Sequence, residues 1–218
     1  MGIRAYSSNV AVQAGEIELE GNLFIPENAD GIVVFAHGSG SSRFSLRNRA
    51  VANYLNEGGL ATLLFDLLTA KEKEVDMQTR KLRFDIKLLS RRLIETVDWL
   101  GQQPETKALN IGLFGSSTGA AAALIAAAER PDTVAAVVSR GGRADLGGDA
   151  LPDVKAPTML IVGGLDYAVI QMNRDAMEQM TIQPSLEIVP GATHLFEEPG
   201  TLDDVARLTR VWFQKYLD

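Results

Sequence analysis

No cysteine occurs among the 218 residues of this chain. Disulfides, thiolate metal sites and a cysteine nucleophile are thereby excluded, while the redox compartment stays open. Histidine is nearly as scarce, at two residues, so any chemistry that needs an imidazole must use His37 or His194. Positive charge is in deficit: Lys and Arg total 21 against 28 Asp and Glu, a formal net charge of -7. Nucleic acid and membrane surfaces need concentrated Lys and Arg and are excluded as main partners, which leaves a small-molecule ligand. Nowhere do about 18 uncharged apolar residues follow one another. Met1 to Val10 holds one Arg and no apolar run of leader length, so a cytoplasmic, soluble protein is expected, as a monomer or homodimer. Long linkers, repeats and low-complexity tracts are missing too, so residues 1–218 read as one domain.

What is present alternates between two periods. Val10–Gln13 and Glu16–Ile25 read as a hairpin turning at Ala14-Gly15, with Ile17, Leu19, Leu23 and Ile25 alternating as on a half-buried strand. Continuous apolar runs follow at Ile32–Ala36, Ala61–Phe65, Leu109–Phe114, Val134–Ser139, Thr158–Val162 and Leu186–Val189. Such runs suit strands covered on both faces. Between them, Leu82, Ile86, Leu89, Leu93, Val97 and Leu100 recur at steps of three and four, the spacing of one helix face. Further helices are expected at Leu46–Glu57, Ala120–Glu129, Ile170–Met180 and Leu202–Leu217, the last with Thr201 and Asp204 at capping-box spacing. Strand-helix alternation implies an α/β fold: a mostly parallel sheet of about eight strands, helices on both faces, the hairpin at one antiparallel edge and little or no cap. Ligands bind such sheets outside the carboxyl ends of the strands.

Gly115-Ser116-Ser117-Thr118-Gly119 lies between one of these strands and the alanine-rich helix. A strand that turns sharply into a helix forces the central side chain into a strained, exposed position, and Ser117 is central. A serine hydroxyl needs a base to take its proton. His194, in the loop after the last strand, is the candidate base, and Asp166, following Thr158–Val162 in Gly163-Gly164-Leu165-Asp166, is the candidate carboxylate that orients it. The chain order Ser117, Asp166, His194 is that of α/β-hydrolases. Asp66 competes for the acid role but stands too early in the chain, so it is expected to bond backbone amides at the head of its loop. His37 is expected to be structural, beneath the turn that follows Ile32–Ala36. Backbone N–H groups of Thr118 and Ser39 are the candidate donors to a tetrahedral oxyanion. Arg43, Arg47 and Arg49, with Arg140 and Arg143, cluster at the same sheet edge, and Arg43 and Arg140 are the candidates to reach a substrate carboxylate or phosphate. The charged stretch Leu67–Arg80 is expected to be exposed, as a small flap.

His37-Gly38-Ser39-Gly40-Ser41-Ser42-Arg43, the Ser117 pentapeptide, Gly163–Asp166 and Gly191–Gly200 together resemble the dienelactone hydrolase-like branch of small serine esterases in the α/β-hydrolase superfamily. The resemblance covers nearly the whole chain and implies nucleophile, acid and base at Ser117, Asp166 and His194, with no metal or organic cofactor. One residue departs from it. Dienelactone hydrolases proper carry cysteine where this chain has Ser117, which moves the expected substrate from a dienelactone to a small, short-chain carboxylic ester. The same three residues would serve lactone, amide or peptide hydrolysis or acyl transfer. A ligand-binding protein that kept the fold is the non-enzymatic alternative, and it would need none of the three.

Overall fold

A computed structural model of the chain describes residues 6–217; the first five residues of the stretch scanned for a leader lie outside them. The hairpin forms as β1 (Tyr6–Ala14) and β2 (Ile17–Ile25), antiparallel in one register from Tyr6 opposite Ile25 to Ala14 opposite Ile17. Val12, Ala14, Leu19, Leu23 and Ile25 are buried and their neighbours face outward, so the sequence alternation is the pleat itself. Six parallel strands follow: β3 (Gly31–Ala36), β4 (Ala61–Phe65), β5 (Asn110–Ser116), β6 (Val134–Arg140), β7 (Thr158–Gly163) and β8 (Ser185–Val189). Their order across the eight-stranded sheet is β1-β2-β4-β3-β5-β6-β7-β8, with β2 meeting β4 antiparallel.

Two helical layers cover the sheet. On one face, α1 (Leu46–Glu57) and α6 (Thr201–Leu217) press Val51, Leu55, Val205 and Phe213 against Val33, Phe35, Phe114 and Val138. On the other, α3 (Ile86–Leu100), α4 (Thr118–Glu129) and α5 (Tyr167–Met177) contribute Leu89, Leu93, Val97, Leu124 and Ala176. A further short helix, α2 (Ala70–Thr79), sits at the edge of the second layer. The chain runs outward from β3 to β4 and returns past β3 to β5, so its direction reverses between β3 and β5. A crevice opens there above the strand ends. Among the described residues no helix is long and apolar enough to cross a membrane.

Several boundaries differ from the sequence expectation for local reasons. The periodic helix begins at Ile86, because the Asp85 carboxylate caps it by accepting from the Leu88 N–H at 3.0 Å; Leu82 falls in a separate 3-10 turn, Leu82–Phe84. The Thr201 hydroxyl donates to the Glu198 carbonyl at 2.7 Å, and the Asp204 amide donates to the Gly200 carbonyl, so the expected capping box is absent there. One forms instead at Thr69 and Glu72, starting α2. Leu67 and Leu68, expected in an exposed flap, are core residues, and only the helix beyond them is exposed. Two 3-10 turns joined at Gly148 occupy Ala144–Asp153, a stretch interrupted by glycine and by Pro152.

Candidate active site

β5 passes into α4 with only Ser117 between them, and Ser117 takes φ 50 and ψ -120. A positive φ strains a residue that bears a Cβ, so it persists only where the surroundings fix it. Here the Ser117 N–H donates to the Arg140 carbonyl at 3.3 Å, and its carbonyl accepts from the amides of Arg143 at 3.0 Å and Ala120 at 3.1 Å. The flanking glycines serve close approach. A Cβ on Gly115 would lie 2.4 Å from Ala120 Cα, and one on Gly119 would lie 2.2 Å from the Ala36 carbonyl oxygen. The alanines of α4 act in the same way, letting a helix buried nearly all round sit close on the sheet.

His194 and Asp166 meet across the carboxyl ends of β7 and β8. The imidazole Nδ1–H donates to Asp166 Oδ2 at 2.6 Å, which leaves Nε2 as the nitrogen with a free lone pair. The loop that carries His194 is fastened on its far side. Both the amide and the hydroxyl of Thr193 donate to the Glu198 carboxylate, at 3.1 and 2.6 Å, and hold that carboxyl below its usual range. Phe196 is buried at φ 55, anchoring the loop in the core.

Ser117 and His194 line one cavity of about 260 Å³ together with Ser39, Arg47, Asn48 and Arg140. Thr118 begins α4, where a helix cannot satisfy its own amide, and Ser39 lies in the turn after β3. A second cavity of about 500 Å³ shares Gly38, Ser39, Ser41 and Ser45 with the first and continues below α2, walled by Phe44, Leu67, Leu68, Met77 and Leu89.

The two arginines singled out in the sequence separate. Arg43 is taken up by acidic neighbours: its amide donates to Asp66 Oδ1 at 2.9 Å, its guanidinium bonds Asp66 Oδ2, and it meets Glu20 at 2.6 Å. It therefore stands away from the Ser117 cavity, contrary to the expectation of a substrate contact. Arg143 is likewise paired, with Asp145 at 2.7 Å. Arg140 is different. It is buried at the end of β6, lines the Ser117 cavity, and has no carboxylate partner among the described residues. Burial first, and the like charge of Arg47 second, push its pKa down to about 10, so it remains cationic at neutral pH.

Neither His37 nor Asp66 lines the Ser117 cavity, and Asp66 bonds the Arg43 amide and not the amides at the head of its own loop, where it was expected. His37 Nδ1 donates to the Gly38 carbonyl at 2.9 Å and Nε2 accepts from the Leu67 N–H at 3.1 Å, which fixes the neutral tautomer; burial pushes its pKa down. Burial would raise the Asp66 pKa, but Lys73, at 2.6 Å, and Arg43 outweigh it and hold the carboxyl below its usual range. The sequence motifs do not include one contributor, Asn48. Asn48 accepts from the Ser116 hydroxyl at 2.9 Å and from Arg140 Nη2 at 3.4 Å. Its signal was available, since it is the polar member of the buried α1 face formed with Val51, Ala52 and Leu55. Among the described residues no cluster of three His, Asp or Glu side chains has the form of a metal site.

A lidless, doubly wound sheet with a strained serine and an Asp-His pair at its carboxyl edge defines the class: an α/β-hydrolase fold. The chain belongs to the dienelactone hydrolase family, whose match covers residues 19–216, and so stands among the hydrolases. A dienelactone hydrolase from Anabaena variabilis is 59% identical, with a TM-score of 0.97 over 99% of this chain and 100% of that one. Two curated Mycobacterium tuberculosis proteins, provisionally named phosphoribosyl transferases, are 55% identical over 208 residues. That match takes in 95% of this chain but 46% of theirs, so the chain spans about half the length of those relatives. At the level of fold alone, an α/β serine hydrolase without lid from Xanthomonas campestris aligns at a TM-score of 0.75 and 21% identity, over 97% of this chain and 95% of that one.

Proposed function

We propose that the chain is a serine hydrolase that cleaves carboxylic esters of small substrates. The observation that carries this reading is the 2.6 Å bond from His194 to Asp166, beside a Ser117 held at positive φ in a shared cavity. Ser117 Oγ attacks the ester carbonyl while His194 Nε2 takes its proton, and Asp166 stabilises the imidazolium that results. The carbonyl oxygen becomes an oxyanion facing the Thr118 and Ser39 amides, each such donor being worth about 2.7–4 kcal/mol of barrier. Collapse breaks the carbon–oxygen bond to the alcohol, which leaves with the proton from His194. Water, deprotonated by the same imidazole, then releases the acid and restores Ser117.

The 500 Å³ cavity supports a short acyl group, because its apolar wall is limited to Phe44, Leu67, Leu68, Met77 and Leu89. The name of the mycobacterial relatives describes proteins about twice as long, so it is not carried to this chain. Treatment of the intact protein with a fluorophosphonate, read by mass spectrometry, is expected to give one adduct, on Ser117. Turnover of p-nitrophenyl esters is expected to peak between acetate and hexanoate and to fall on the order of 10⁵-fold or more in Ser117→Ala. A protein that takes no adduct and turns over none of the series would not be a serine hydrolase.

A further inference from the structure

The Ser117 cavity is cationic in a chain that is acidic overall. Its wall carries the guanidinium groups of Arg47 and Arg140 and no carboxylate, against a net charge of -7 for the whole sequence. Arg140 is 7% exposed, its Nε and Nη1 meet no acceptor among the described residues, Nη2 reaches Asn48 at 3.4 Å, and the Phe196 ring lies 6.0 Å from the guanidinium carbon. A buried guanidinium without a counter-charge is costly to the fold. Its retention at a cavity wall points to an acceptor that arrives with the ligand. Arg47 does meet Glu197, at 3.0 Å, but those side chains are 36% and 63% exposed, and such a surface pair exchanges partners at little cost.

Two helices also begin at this cavity, α1 at Ser45 and α4 at Ser117, and neither has an acidic residue in its first turn. The Ser45 hydroxyl caps α1 by accepting from the Asn48 N–H at 3.3 Å, and the Thr118 amide of α4 is the one that faces the oxyanion, so these ends supply a positive dipole that no carboxylate offsets and leave the phosphate contacts to side chains. Ser39 and Ser41 line the cavity as well. A planar, singly charged carboxylate is satisfied by one guanidinium fork, whereas two guanidiniums match a group with three oxygens and close to two charges. His194, which hands its proton to the departing alcohol, lines this cavity and not the larger apolar one. Resting on the hydrolase reading above, we infer that the substrate is an ester whose alcohol portion carries a phosphate monoester, seated on Arg140 and Arg47, while its acyl portion lies below α2. The phosphate itself is not cleaved: the carbon–oxygen bond of the carboxylic ester breaks, and water supplies the hydroxyl of the released acid.

Three acetates separate this from its rivals: those of 2-hydroxyethyl phosphate, of 3-hydroxypropanoate and of 2-methoxyethanol, with acetate release measured at matched ionic strength. The phosphate-bearing ester is expected to exceed the methoxy ester in kcat/KM by roughly ten- to a hundredfold, as for charge-assisted hydrogen bonds. That ratio is expected to collapse toward one in Arg140→Gln, to fall partway in Arg47→Gln, and to be partly restored in Arg140→Lys. Inorganic phosphate is expected to slow fluorophosphonate labelling of Ser117 in the native protein and to raise its Tm, and to do neither in Arg140→Gln. Should Arg140→Gln not fold, Arg47→Gln and the native ratio decide. Equal rates for the three acetates, or preference for the carboxylate, with Ser117 still labelled, would overturn the phosphate assignment and leave the hydrolase intact. Failure of Ser117 to label would instead remove the hydrolase, and the Tm response to phosphate would then decide the anion site alone.

Discussion

At the scale of single residues, the site depends on a few atoms that are absent. Gly119 is needed because the first turn of α4 rests on the end of β3, where an added Cβ would sit 2.7 Å from the His37 carbonyl as well as touching that of Ala36. Gly119→Ala is expected to lower stability by about 1–3 kcal/mol, the range for overpacking, and to cut kcat about 10²-fold by displacing Ser117 and the Thr118 amide together. Urea midpoints and p-nitrophenyl acetate turnover measure the two effects; a variant with native kcat would refute the coupling. These glycines, Ser117, Asp166 and His194 were legible in the sequence because each follows an apolar run in a fixed order. The fate of the arginines was not. Whether a guanidinium pairs with Asp66, as Arg43 does, or stands without an acid, as Arg140 does, depends on strands and loops distant in sequence.

At the scale of elements, α2 is the informative case. Its only buried residue is Asp76, and it is tied to the body of the protein by ion pairs: Lys73 to Asp66 and Asp76 to Arg83, both at 2.6 Å, and Glu72 to Arg92 at 3.0 Å. The helix could have been read from Thr69 and Glu72 three residues apart, but its charged composition lacks the apolar periodicity that revealed α3. Because α2 walls the larger cavity, loosening it is expected to widen substrate choice. Thr69→Ala, which removes the cap at a cost of about 1 kcal/mol to the helix, is expected to raise the decanoate-to-butyrate ratio of kcat/KM severalfold. High salt is expected to change it little, because each pair has one partner buried from solvent. An unchanged ratio in Thr69→Ala would show that α2 does not limit the acyl group.

At the scale of the whole molecule, His37 links the sheet to acidity. Its folded pKa lies below the ordinary value of 6.5, chiefly through burial. The unfolded chain therefore binds a proton that the folded chain refuses, and this contribution to stability is complete above about pH 6.5 and declines as the pH falls below it. Urea unfolding across that window is expected to show the decline, with a slope of at most about 1.4 kcal/mol per pH unit for one proton. His37→Gln, which offers an acceptor and a donor without titrating, is expected to flatten it; equal slopes in both proteins would assign the effect to other groups. The overall architecture was legible because buried parallel strands are written as continuous apolar runs. The 3-10 stretch at Ala144–Asp153 escaped because Gly147, Gly148 and Pro152 interrupt it, although its buried Ala144, Gly147 and Leu151 are spaced three and four apart.

The pairing of β3 with β5 has one more consequence. Ala36 lies opposite Gly115 in an unbroken parallel register, and Ser39 and Thr118 each follow within three residues of that rung. Both amides that would receive the substrate oxygen thus rise from neighbouring strands, whose repeat is about 4.8 Å, and the turn after β3 and the start of α4 set the rest of the gap between them. A slip of one residue in the β3–β5 register would therefore carry one donor past the other before any side chain of the site had changed.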